Sequence, residues 1–191
     1  FQQFGRDVLA RGTGEIGLTE SYRDMTTRLA RRIEAANRAA TCPSGPMPVL
    51  FTPAGGMVLL LPLLLAVNGE HLQRGTSPLT GRSGEQVLDP RLTLWDDPTL
   101  GRRPASAPFD DEGVPCRRKA LFQRGIAESF LYDLKTAALM GAESTGNGMR
   151  SLYSLPAPAA TNVVLEPGEM PITSLIASIP HGLLVDGVLG L

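Results

Sequence analysis

Histidine is almost missing from this chain. Only His71 and His181 occur, whereas a catalytic zinc needs about three protein ligands. His71, beside Glu70, is therefore read as a surface-loop residue rather than a ligand. Cysteine is equally scarce: Cys42 and Cys116 stand alone, neither in a metal-type pair. Two unclustered cysteines fit a reduced, cytoplasmic protein better than a disulfide scaffold, so no bridge between them is expected. No charge of one sign prevails, because 18 basic and 19 acidic residues leave a net charge of -1. Such a chain has no overall field to draw in nucleic acid or an anionic membrane. A long apolar run is also lacking. The longest, Met57 to Val67, is interrupted by Pro62 and falls short of the roughly 20 residues a bilayer requires. No signal peptide is visible.

What remains is a globular composition, 42% apolar and 19% charged, with 21 glycines and 16 prolines. That mixture predicts short strands and many turns. The fold class expected is α+β: a mostly antiparallel, hairpin-rich sheet from about Val87 onward, with a few packed helices. Thr19 to Ala40 is the clearest helix, since Tyr22, Met25, Leu29, Ile33 and Ala36 recur at helical spacing. Arg28, Arg31, Arg32 and Arg38 lie mostly on its other side. They read as a solvated face, because no aromatic residues are interleaved to stack on bases. Cys42 to Pro46 forms a linker. Pro48 to Thr52 is expected as a buried strand and Met57 to Val67 as a buried helix, kinked at Pro62 or holding it near its first turn. Val87 to Trp95 alternates loosely as a strand.

The densest stretch is Phe109 to Arg150. Asp110, Asp111 and Glu112 precede Gly113, and a carboxylate run ending in glycine favours a turn. Three consecutive acids cannot all turn inward on a hard cation, so a capping role is preferred over a metal site. Lys119 to Gln123 and Ile126 to Tyr132 flank Arg124-Gly125 as a hairpin. Leu134, Ala137, Ala138 and Met140 suit one helical face, with Asp133 as N-cap and Gly141 as stop. Gly146-Asn147-Gly148 is no P-loop, lacking a following Lys-Ser/Thr helix; it reads as a structural or substrate-lining loop. Ser144 and Thr145 have no histidine nearby for a triad. Arg117 and Arg118 can lower the Cys116 pKa, but that thiol has no histidine partner either. Downstream, Leu152 to Leu155 and Thr161 to Leu165 are expected as strands, and Ile172 to Ile179 as a helix.

This sequence resembles the TldD/PmbA family of peptide-maturation proteases, whose members were once called modulators of DNA gyrase. The matching residues are Phe109-Asp110-Asp111-Glu112-Gly113-Val114-Pro115, Gly125, Tyr132-Asp133 with Thr136-Ala137, and Ser144-Thr145-Gly146-Asn147-Gly148. Upstream, Arg74-Gly75-Thr76-Ser77, Gly84-Glu85-Gln86-Val87, Leu92-Thr93 and Asp96-Asp97-Pro98-Thr99-Leu100 fit, as do Thr161-Asn162, Glu166-Pro167-Gly168 and Gly182-Leu183-Leu184-Val185 downstream. Each motif is weak alone; their order and spacing are specific. The resemblance implies that residues 1–47 end an N-terminal α/β domain and that residues 48–191 are the β-rich C-terminal domain, truncated at its end. In zinc-bearing members the helix at Met57 carries an HExxxH arrangement, whose places fall here on Leu61, Pro62 and Leu65; the resemblance also implies a last strand at Leu183 to Val188. The resemblance thus implies a metal-free subunit of the PmbA (TldE) type, with no catalytic or metal residue of its own and zinc in a partner. That partner is a zinc-bearing TldD-like chain or a second copy, and the substrate is an unfolded peptide. Asp110, Asp111, Glu112, Gly113, Gly146, Asn147 and Gly148 are the expected peptide-lining residues. The other reading is a non-catalytic homodimeric peptide-binding module.

Overall fold

A computed structural model describes residues 18–37, 41, 44–101 and 103–188. The chain divides into two compact units, one of Phe1–Gly56 with Ile172–Leu191 and one of Met57–Pro171. Cys42 and Arg38 lie outside the described residues.

In the first unit, α1 (Leu18–Ala36) is the expected long helix. Strand β1 (Val49–Phe51) pairs in parallel with β8 (Leu183–Val185), Leu50 opposite Leu184. The β1 strand is not buried as expected. Val49 is exposed and Leu50 and Phe51 are half-buried, because a two-stranded ribbon has too little sheet to enclose them. Helix α5 (Ile172–Ser178) precedes β8. Thr52 donates its hydroxyl to Asp186 at 2.7 Å and its amide to the Val185 carbonyl at 3.0 Å, extending the parallel pairing by one rung.

The second unit holds the main core. Its four-stranded sheet has the order β4-β3-β2-β7, every neighbour antiparallel: β2 is Leu94–Asp96, β3 Lys119–Gln123, β4 Ile126–Ala127 and β7 Val163–Leu165. The β3–β4 connection is the predicted hairpin. Arg124 (φ 50) and Gly125 (φ 78) both take positive φ, the two-residue geometry that suits strand twist. Strand β4 is shorter than Ile126 to Tyr132, because the chain turns from β3 after Glu128, whose amide still donates to the Leu121 carbonyl at 3.1 Å, and Leu131 N donates instead to the Val67 carbonyl at 2.9 Å. The expected strand Val87 to Trp95 shrinks to Leu94–Asp96. Pro90 cannot donate to a ladder, and the amides of Val87 and Leu88 both turn to the Gly125 carbonyl.

Helix α2 (Met57–Ala66) contains Pro62 in its interior, past the first turn. Leu60, Leu63 and Leu64 pack against Val67, Leu72, Leu94, Leu121, Phe122 and Leu131. It is not a buried helix, however. Met57, Leu59, Leu61 and Leu65 are exposed, since an all-apolar helix laid on one sheet can bury only one side. Helix α3 (Gly69–Gln73) follows, capped by Asn68, whose side chain accepts from the Glu70 amide at 2.9 Å. His71 therefore sits half-buried in a helix rather than in a loop, its Nδ1 3.2 Å from the Thr76 hydroxyl.

Helix α4 (Leu134–Met140) has the predicted ends. Asp133 accepts from the Thr136 amide at 2.7 Å, and Gly141 closes the helix at φ 64. Strands β5 (Gly148–Met149) and β6 (Ala157–Pro158) make a second small hairpin. Leu152 to Leu155, expected as a strand, is instead its exposed tip. The Ser151 amide donates to Ser154 Oγ at 2.9 Å, which turns the chain before a ladder can form.

Candidate functional site

The acidic turn and the glycine loop, 30 to 40 residues apart in sequence, meet in space. Asp110 is buried and spends both carboxylate oxygens on backbone amides. Its Oδ1 accepts from Glu112 N at 3.0 Å and Val114 N at 2.9 Å, and its Oδ2 from Gly148 N at 2.8 Å. Asp111 N donates to the Gly148 carbonyl at 2.9 Å, and Asp111 Oδ2 accepts from Arg150 N at 2.8 Å. Glu112 reaches the first turn of α4, where its Oε2 accepts from Leu134 N at 2.8 Å. The three acids thus act as caps and turn-formers, which is what consecutive carboxylates can do without opposing one another.

Both loop glycines make close contacts. A Cβ on Gly148 would collide with the Glu112 carboxylate. One on Gly146, already at φ 70, would sit 2.6 Å from the Pro115 carbonyl oxygen. Cys116 donates its thiol to the Gly146 carbonyl at 3.2 Å. Burial raises the Cys116 pKa, and the nearby Asp110 carboxylate adds to it, outweighing the Lys119 ammonium. The expectation that Arg117 and Arg118 would lower this pKa fails: Arg117 is exposed, and Arg118 is drawn to other groups. Arg118 lies over the Trp95 ring at 3.9 Å and reaches Asp97 at 3.4 Å.

Behind the loop lies a buried polar cluster that sequence reasoning did not find. Asn147 is fully enclosed and uses every side-chain valence. Its Oδ1 accepts from Lys119 Nζ and Thr145 Oγ1, both at 2.8 Å, while Nδ2 donates to Asp96 Oδ2 at 2.8 Å and the Ala159 carbonyl at 2.9 Å. Lys119 Nζ also donates to Asp96 Oδ2 at 3.0 Å, and Asp96 Oδ1 accepts from the amide and hydroxyl of Thr161 at 2.6 and 2.7 Å. Lys119 and Asp96 are register partners on β3 and β2. The available signal was a lysine opening an otherwise apolar strand, Lys119-Ala120-Leu121-Phe122, where a buried ammonium demands an acid.

Of the residues expected to line a peptide, Asp111 and Gly113 are exposed and Glu112 is half-buried. Asp110, Gly146, Asn147 and Gly148 are buried. Because Gly148 N is engaged by Asp110, the glycine loop has no free amide there for a phosphate.

Helix α2 ends beside this assembly, where Asn68 Nδ2 donates to the Pro158 carbonyl at 2.6 Å. An HExxxH spacing that ends on Leu65 begins at Leu60-Leu61; one that begins at Leu61-Pro62 ends on Ala66. The set Leu61, Pro62, Leu65 therefore mixes two registers, and all five positions are hydrocarbon. Among the described residues, no group of three His, Cys, Asp or Glu side chains converges to hold a metal ion. The residues on α2 do not fit zinc.

The chain is a mixed α+β fold whose main sheet is antiparallel. A family model described as the PmbA/TldA metallopeptidase C-terminal domain matches residues 44–191. The chain belongs to the TldD/PmbA metalloprotease family. It is 37% identical over 147 residues to the metalloprotease TldD homolog of Haemophilus influenzae, covering 76% of this chain and 30% of that protein. Among solved structures, TldE from Thermococcus kodakarensis superposes with a TM-score of 0.77 at 34% identity, covering 88% of this chain and 39% of that one. The Thermotoga maritima protein described as a candidate modulator of a DNA gyrase superposes with a TM-score of 0.79 at 33% identity, covering 87% and 38%. The chain spans about a third of the length of the curated relatives it matches. Among the described residues, no helix is long and apolar enough to cross a membrane.

Proposed function

We propose that this chain serves as the metal-free, PmbA (TldE)-type subunit of a cytoplasmic two-subunit protease that degrades or matures unfolded peptides. The observation that carries the reading is the composition of α2. In a metallopeptidase family, the helix expected to grip zinc offers only alkyl groups, in either register of the HExxxH spacing. Zinc binding needs imidazole, thiolate or carboxylate donors. A partner chain with those donors brings the metal and the activated water. This chain contributes structure and part of the substrate chamber, where an extended peptide adds to sheet edge near Asp110–Gly113 and Gly146–Gly148. Asp111 and Gly113 are the exposed members of that set.

The test is to mix the full-length protein with a zinc-bearing family member and follow cleavage of an unstructured peptide. Cleavage well above that of the partner alone is expected, with no metal retained by this chain after purification. No gain over the partner counts against the reading, and stoichiometric zinc bound to this chain alone refutes it. The second reading, a homodimeric peptide-binding module without proteolytic role, is separated by native mass spectrometry with and without the partner.

A further inference from the structure

The buried cluster behind the glycine loop sets a primary amine against a side-chain amide. Lys119 Nζ lies 2.8 Å from Asn147 Oδ1, and both side chains meet at one oxygen of Asp96. Nζ donates to Asp96 Oδ2 at 3.0 Å, and Asn147 Nδ2 donates to the same oxygen at 2.8 Å. Asn147 and Asp96 have no exposed surface, and the Lys119 side chain keeps 6%. A lysine–aspartate pair would be complete without the amide. Further contacts fix the parts in place. Thr145 Oγ1 donates to Asn147 Oδ1 at 2.8 Å, and the Ala159 carbonyl accepts from Nδ2 at 2.9 Å. The amide and hydroxyl of Thr161 hold the other Asp96 oxygen.

We propose that this cluster is a self-modification site, where Lys119 Nζ displaces ammonia from Asn147 and joins β3 to the glycine loop by an isopeptide bond. Each group has a part in the step. Asp96 Oδ2 takes a proton from the Lys119 ammonium, and the freed amine swings from Oδ1 onto the face of Cγ. The new Nζ–Cγ bond pushes an electron pair onto Oδ1, where the Thr145 hydroxyl faces the developing charge. Asp96 passes its proton to Nδ2, the other nitrogen on the same oxygen. The Cγ–Nδ2 bond breaks, the carbonyl re-forms and ammonia leaves. The spare proton on Nζ then crosses through Asp96 to the ammonia, which departs as ammonium, and Asp96 ends as a carboxylate. Atoms and charge balance without oxidant, reductant or added water. Amine attack on an amide is slow between free molecules. Groups held in contact, however, reach effective molarities of roughly 10⁵–10⁸ M, and an enclosed site keeps water from the intermediate. Until the bond closes, the cluster is the ion pair described above. The proposal is independent of the protease reading.

Intact-mass spectrometry of the full-length protein, followed over days from first folding, tests it. A species lighter by about 17 Da, one ammonia, should replace the full-mass chain. Succinimide formation at Asn147-Gly148 loses the same mass, so a tryptic digest decides between them. The isopeptide bond protects Lys119 and yields a branched peptide, Lys119–Arg124 joined to Thr136–Arg150. Lys119→Arg keeps the positive charge and should keep its full mass. Asp96→Asn removes the proton carrier and should slow the loss at least ~100-fold. Thr145→Val, a milder change, should slow it at least ~10-fold. Circular dichroism checks that each variant folds. A wild type that retains its full mass overturns the proposal. So does a lighter species that trypsin still cuts after Lys119, an equal loss of ammonia from Lys119→Arg, or an undiminished rate in Thr145→Val.

Discussion

Replacing Lys119 by methionine keeps the length of the side chain and removes only its ammonium. The native Nζ makes two hydrogen bonds, at 3.0 Å to Asp96 and 2.8 Å to Asn147, with its side chain 6% exposed and that of Asp96 fully buried. Breaking a buried pair from one side costs about 3–5 kcal/mol, because the remaining charge has lost its counter-ion. Here the lower end applies. Asp96 still accepts from Thr161 N, Thr161 Oγ1 and Asn147 Nδ2, so its carboxylate is not stripped of donors. At roughly 2–4 °C per kcal/mol for a chain of this size, the melting midpoint should fall by about 6–12 °C. Trp95 neighbours Asp96 on β2 and is the sole tryptophan, so urea denaturation followed by its fluorescence reads this region directly. Arg91→Ala, which removes an exposed ion pair to Asp89, is the control and should leave the midpoint unchanged. A Lys119→Met variant that lost less than about 1 kcal/mol would show that the cluster is not held by its charge pair.

Three further outcomes follow from the geometry. Gly146→Ala should cost about 2–4 kcal/mol in denaturant melts, since it combines a left-handed φ with a backbone clash at Pro115; Gly148→Ala meets only the movable end of Glu112 and should cost less, and the reverse order would refute the packing described. Cys116 should alkylate with iodoacetamide more slowly than free cysteine at pH 8, because a raised thiol pKa leaves less thiolate there; a rate equal to that of the free thiol would contradict the burial argument. Asp133→Ala should destabilise by about 1–2 kcal/mol through loss of the α4 cap, and an unchanged urea midpoint would mean the cap is replaced by another acceptor.

Local chemistry carried much of the fold into the sequence. Asp133 and Gly141 bracket α4 because each end of a helix has its own unsatisfied groups, and those two residue types meet them. The Arg124-Gly125 turn was legible for the same reason: two residues set the backbone without outside help. What stayed hidden is pairing between distant segments. Val49 to Phe51 reads as a strand, but nothing in it specifies Leu183 to Val185 as its parallel neighbour. Hydropathy marked α2 as apolar without showing that Leu60, Leu63, Leu64 and Ala66 would meet the core while Met57, Leu59, Leu61 and Leu65 would not. The tip residues Leu152 to Leu155 have strand-like composition, and two serines at the right separation overrule it.

The acidic run shows why a motif can be visible while its work is not. Asp110, Asp111 and Glu112 look like candidates for proton transfer or a cation when read as charges. Placed in the fold, their oxygens face amides: Glu112, Val114 and Gly148 for Asp110, Arg150 for Asp111, and Leu134 for Glu112. Carboxylate oxygens engaged by backbone donors are committed to holding the chain in place. Their effect is mechanical. Through these bonds the turn at Gly113, the loop at Gly146–Gly148 and the start of α4 are pinned together, and Asn147 pins the same loop to the Asp96–Lys119 pair on the sheet. Whatever binds along Asp111, Gly113 and the hairpin therefore meets a surface preorganised from both sides. The order of these motifs is what reveals the family, because three separated segments must supply matching donors and acceptors before that surface can exist.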